Sequence, residues 1–262
     1  MRALFAPLLF LLLTQPTLAG QNRSASAVSQ PVCPASGDMR AEFASAVTAS
    51  SFRTIDGHEI RLAGVIGPGE DGSPASPQIL AGARSALTAA LQARDLRLAV
   101  VGIPDRYQRV AAQLFANGMW VQQRMLRDGL VRVDPGRLGG ICSGPLFAAE
   151  HLAMDAHAGN WGNGRFRLRT PDEVTKSAGR FEIVDGEVWR SRDLKGRQII
   201  EFRNASSFEV AVPSQAVRAL RQIHVDLRRL RGKTIRVHGW IGLDDRPMME
   251  ISTPAALEII QK

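Results

Sequence analysis

The chain has little of what most metal and nucleophile chemistry needs. It has two cysteines in 262 residues, Cys33 and Cys142, too far apart in sequence for a zinc knuckle. No serine sits in a nucleophile elbow, so no serine–histidine–acid order can be argued. A Walker-type phosphate loop is also missing. After the first twenty residues no apolar run is long enough to span a bilayer, which takes roughly 20 residues.

What is present begins with an export signal. Arg2 gives a positive start, Leu4 to Leu13 is almost wholly apolar, and Thr17-Leu18-Ala19 before Gly20 fits a cleavage site. The expected location is therefore periplasmic or secreted. No cysteine follows Ala19 and Gly20, which argues against lipoprotein processing. Export makes a Cys33–Cys142 disulfide possible, and two unpaired thiols are the alternative. The net charge is +8, which draws polyanions at long range but names no function.

The patterning divides the chain into a signal peptide over 1–19, a flexible Ser/Ala/Gln/Pro-rich linker over 20–38, a first domain over 39–165 and a second over 176–262. In the first, Phe52–Ile55 and Glu59–Leu62 read as strands joined by the Asp56-Gly57 turn. Ile79 to Arg94 has helical periodicity, Leu96–Gly102 and Arg109–Phe115 are strand candidates, and Val121–Asp128 and Pro145–Ala158 are helices. In the second, three strand-like segments precede a helix predicted over Ser214–Leu230, and two more strands follow. The order β-β-β-α-β-β suits a small OB-type barrel.

Four segments of the first domain, taken in order, resemble the thermonuclease (staphylococcal nuclease-like) family. They are Asp56-Gly57-His58-Glu59-Ile60-Arg61-Leu62-Ala63-Gly64-Val65, Asp105-Arg106-Tyr107-Gln108-Arg109, the stretch from Asn117-Gly118 to Val131, and Ala149-Glu150 through Gly159-Asn160-Trp161. The resemblance implies an α+β fold, mainly β: a five-stranded OB-type barrel of staphylococcal-nuclease type, followed by a second small OB-like β domain. It also implies a chemistry in which carboxylates hold calcium, a glutamate handles the attacking water and two arginines clamp the phosphate.

Carried over residue by residue, the arginines survive as Arg61 and Arg109. The calcium-ligand positions fall on His58 and Ile66, the next residue is Gly67, and the glutamate position is Gly69. Glu70 lies one residue late, where the glycines on either side of Pro68 could let it swing inward. Imidazole is a poor calcium ligand and isoleucine is none. The expectation is thus a degenerate site: Arg61 and Arg109 binding phosphate, Glu70 as a candidate catalytic group, no metal, and calcium only if the site is kept in altered form. The partner would be nucleic acid or another polyanion. An active phosphodiesterase with an altered site and a protein-interaction scaffold are the alternatives.

Other groupings read more plainly. His151 and Asp155 share a helix face, with His157 beyond, and read as a polar surface. Arg218, Arg221, Arg228, Arg229 and Arg231 cluster in the second domain, which holds 16 Lys/Arg against 11 Asp/Glu from Thr175 onward. A phosphate-binding patch is one reading, and a solvated helix the preferred one. Phe181, Trp189, Phe202, Phe208 and Trp240 lie in strands and are expected to pack in the core.

Overall fold

A computed structural model describes residues 33–138, 142–205, 207–243 and 246–260, so the proposed signal lies outside the described residues. The described residues belong to one compact unit. No helix among the described residues is long and apolar enough to cross a membrane.

The fold is α+β, mostly strands, and contains two OB-type sheet systems. The first runs β1 (Met39–Ala41), β2 (Phe43–Ala46), β3 (Ser51–Thr54), β4 (Glu59–Leu62), β5 (Val65–Ile66), α1 (Pro77–Leu91), β6 (Leu96–Val100), β7 (Val110–Ala116), β8 (Met119–Trp120), α2 (Val121–Arg127), β9 (Arg132–Val133) and α3 (Ser143–Asp155). Its sheet order is β1-β6-β7-β4-β3-β2. Only Glu42 separates β1 from β2, so the path returns on itself as a barrel whose first strand is broken once. β4 and β7 pair in parallel, the other neighbours antiparallel. Helix α1, expected over Ile79–Arg94, starts two residues earlier and ends at Leu91. Ser76 caps it by accepting from Ile79 N, Pro77 fills the first turn, and Ala83, Leu87 and Leu91 face the core.

The second system contains β10 (Phe181–Leu194), β11 (Arg197–Phe202), β12 (Glu209–Pro213), α4 (Ser214–Gln222), β13 (Thr234–Leu243), β14 (Pro247–Glu250) and β15 (Leu257–Ile260). The order β10-β11-β12-β14-β13 closes through a β10–β13 pairing, with β12 and β14 parallel, giving a closed five-stranded barrel. Strand β15 adds to β13 outside the ring. The helix predicted over 214–230 stops early: His224 takes φ +62° just after it, and Leu227 reaches the core from a separate 3-10 turn.

Between the barrels lies a shared apolar seam of Ile66, Ala153, Trp161, Phe166, Phe181 and Ile183. It encloses an ion pair. Arg132 Nη2 donates to Asp71 Oδ2 at 2.8 Å and to Phe181 O at 3.0 Å, and Arg165 reaches Asp71 Oδ1 at 3.1 Å. Arg132 also stacks on the rings of Phe166 and Phe181. Burial pushes the guanidinium below its ordinary range, and Asp71 offsets this. His151, read as part of a polar helix surface, instead meets the second barrel beside the seam. Its Nε2 lies 3.0 Å from Glu258 Oε2, and His238 Nε2 lies 2.9 Å from Glu258 Oε1.

Cys33 and Cys142 are bonded, with Cα atoms 4.9 Å apart, and close a span of 109 residues. The end of the segment read as a linker is therefore tied down. Gly37 lies so close to the backbone of Leu98 that no side chain would fit there.

Candidate functional site

The site starts from the alternation of β4. Ile60 and Leu62 are buried, so Arg61 must point the other way. Its side chain is 26% exposed. The parallel register sets Arg61 opposite Ala111, two residues beyond Arg109, and the antiparallel register sets it opposite Ser51. The two arginines predicted from sequence are therefore brought together by the pairing of β4 with β7.

Arg109 is fixed by the turn in front of it. Asp105 Oδ1 accepts from Tyr107 N at 2.8 Å and from Arg109 N at 3.0 Å, while its Oδ2 accepts from Arg109 Nε at 2.8 Å. The guanidinium also lies 4.9 Å from the centroid of the Tyr107 ring. These bonds, led by that of the Arg109 side chain, hold the Asp105 carboxyl down to about 2. The turn needs Gln108 at φ +60°, a left-handed conformation that glycine adopts more readily.

Arg61 is held differently. Its Nη1 comes no closer than 4.0 Å to Asp105 Oδ2, and no hydrogen bond engages it among the described residues. Its pKa is lowered, first by burial, then by the neighbouring Arg137 and Arg109. Glu70 and Asp105 partly oppose this. Arg137 was not anticipated from sequence. It enters on a 3-10 turn after β9 and pairs with Asp134, Nε to Oδ2 at 3.0 Å. Burial raises the Asp134 pKa, and Arg137 opposes the shift. Only chain folding could reveal this third arginine, since it stands 76 positions from Arg61.

Glu70 does swing inward. Ser50 Oγ lies 2.8 and 2.7 Å from its two carboxylate oxygens, and Gly67 N donates to Oε2 at 3.2 Å. The swing requires glycine at 67, because a Cβ there would overlap the Ala49 side chain. Leu62 N donates to Ser50 O at 2.8 Å, which ties the loop before β3 to the end of β4 beside Arg61.

Two expected positions are corrected by this geometry. His58 does not face the arginines. It is exposed in the turn at the start of β4, beside Asp56, three residues or about 10 Å of strand from Arg61. The loop that meets Glu70 next to Arg61 instead presents Ser50, which the motif had not marked. Ile66 does not face the arginines either, being fully buried in the seam against the second barrel. An apolar residue there follows from packing two barrels together.

A hard cation such as calcium takes six to eight oxygens, typically with several carboxylates. Among the described residues no three His, Cys, Asp or Glu side chains converge to hold a metal. The carboxylates nearest Arg61 are already engaged, Asp105 by Arg109 and Glu70 by Ser50 and Gly67. The donor set does not fit calcium. What the arrangement offers is a half-buried guanidinium with unengaged donors, flanked by two more. No family model and no curated protein matches this chain.

Proposed function

We propose that this is an exported protein of thermonuclease descent that binds a phosphate-bearing polyanion, nucleic acid foremost, through Arg61 and Arg109 and does not cleave it by a calcium-dependent route. The observation that carries this reading is Arg61 itself. A guanidinium that is partly desolvated, crowded by Arg109 and Arg137 and free of hydrogen-bonded acceptors gains from an incoming anion. Phosphate oxygens match its planar donor fork, and Arg109 can add a second contact while Asp105 keeps it oriented.

A second reading has one observation in its favour. Glu70 lies within the field of Arg61 and holds the Ser50 hydroxyl. That pairing could position a water against a clamped phosphodiester, which would make the chain a hydrolase with an altered site. The test is binding of labelled single- and double-stranded DNA and RNA in chelator, over a range of salt. Arg61→Ala and Arg109→Ala should each weaken binding and lower the salt slope by about one. No affinity at low salt would leave the barrel as a scaffold for protein partners.

A further inference from the structure

The second barrel carries a surface that its sequence conceals. Strand β10 pairs Val188 with Phe202 and then Arg190 with Glu201, which leaves Trp189 as the extra residue of a bulge. A bulge breaks the two-residue alternation and re-aims side chains. Trp189 follows the buried Val188 to the outer side and is 43% exposed, and the bulge brings Arg190 and Arg192 to that same side. The Arg190 guanidinium stacks over its ring, 4.3 Å from the centroid.

Around this tryptophan runs a ladder of alternating charge. Arg190 Nε donates to Glu201 Oε2 at 2.7 Å, and Arg192 donates to Glu201 at 2.6 Å and to Glu209 at 3.1 Å. Arg246 completes it, donating to Glu209 at 3.0 Å. Together they line a depression of about 390 Å³ on the outer face of the first three strands, with Arg246 contributed by the β13–β14 connection. Guanidinium groups paired in plane with carboxylates leave their flat faces available for stacking. Three arginines against two glutamates leave an excess of one positive charge.

A second depression of about 360 Å³ lies at the far end of the β10–β11 hairpin, where Arg197, Arg218 and Arg221 contribute to the lining. Among the described residues none of the three has a carboxylate within salt-bridge distance. Four to five residues of β10 separate it from Trp189, roughly 13–17 Å at about 3.3 Å per residue. That distance suits one OB fold, which covers roughly 4 to 16 nucleotides of single strand. The outer strands and loops of this fold are also its usual ligand surface.

We propose that this face of the second barrel binds single-stranded nucleic acid, with a base stacked on Trp189 and the backbone running toward Arg197, Arg218 and Arg221. This site is independent of the one at Arg61. The test is fluorescence anisotropy of the purified protein with labelled dT15, and with a heparin oligosaccharide of matched charge, for wild type, Trp189→Ala, Trp189→Phe and Arg61→Ala. Trp189 is exposed, so the variants should fold, and matching thermal midpoints check this. Trp189→Ala should weaken dT15 binding by about 5-fold or more, the loss of one stacked base. Trp189→Phe should restore it to within about 2-fold, heparin binding should not change, and the Trp189 factor should be the same in an Arg61→Ala background. Absence of dT15 binding overturns the proposal. So does an unchanged dT15 affinity in Trp189→Ala, or an equal loss for heparin.

Discussion

The two barrels run their strands in the same order, yet each turns the corner of its first strand differently, and that difference decides what reaches the surface. The first strand of such a barrel must pair with one neighbour along its first half and another along its second. In the first barrel the change of partner, from β6 to β3, is made by breaking the strand at Glu42, with a bulge at Ala44 just beyond. In the second, β10 stays continuous and changes from β13 to β11 across the bulge at Trp189. Both corners carry an extra residue, Ala44 in the first barrel and Trp189 in the second, and only the second sets an aromatic side chain in solvent. The first barrel thus offers guanidinium groups beside a clamped loop, and the second an aromatic ring beside a charge ladder. Shared topology places the loops, and local irregularities choose their chemistry.

The largest effect expected of any single change lies where the barrels meet. Arg132→Ala leaves Asp71 charged and buried with only Arg165 beside it, and should cost about 3–5 kcal/mol in denaturant unfolding. Because the apolar seam is shared, one transition should persist. Two separate transitions would show that the barrels fold as independent units, and the comparison would then be one of two domains. Loss of the disulfide should separate the barrels more selectively. Cys33→Ser with Cys142→Ser should cost about 2–5 kcal/mol. Hydrogen exchange should quicken in β1, β6 and α3 while β11 and β12 keep their protection.

Smaller effects sharpen the contrast at the sites. Arg61→Ala should weaken nucleic-acid binding by roughly 10-fold or more, as for a lost charged hydrogen bond. Gln108→Gly should relieve the left-handed turn and stabilise by about 0.5–1 kcal/mol, with little change in affinity, as read by the thermal midpoint. The smallest effect is on pH dependence at the seam. His151 is raised above 6.5, foremost by its hydrogen bond to Glu258, so its stabilisation is complete below 6.5 and fades as pH rises through the folded value. Burial raises Glu258, but bonds from His151 and His238 outweigh it and bring the group from 4.5 down to about 2; its contribution is complete above 4.5 and lost on acidification toward 2. The seam should be firmest between pH 4.5 and 6.5. The advantage of wild type over His151→Gln in thermal midpoint should shrink above that window.

Much of the fold was legible because it rests on local rules. The Asp56-Gly57 turn, the core-facing periodicity of α1 and the strand–strand–strand–helix–strand–strand order of the second barrel all follow from turn chemistry and periodicity. Arg61 and Arg109 were also readable, since alternation in β4 and a motif before β7 mark them. Other features were set by distant parts of the chain. Ser50 meets Glu70 through a loop packed on Gly67, and Arg137 arrives from beyond β9. Ile66 answers to a second barrel that no local pattern announces. Trp189 and Trp240, expected in the core, are both exposed; Trp189 alternates outward from Val188, and which side of a strand meets the core is set by the barrel it closes. The overlong helix at 214–230 has a simpler cause. Leu227 keeps the helical spacing although the chain has already turned at His224.

The most direct measurement is cleavage of end-labelled single-stranded DNA by the purified protein, with calcium, with zinc and with chelator, alongside binding in the same buffers. Retained binding in chelator with the strand intact under all three conditions is the expected result. Fragments that form only with calcium, and vanish in Glu70→Gln, would contradict it.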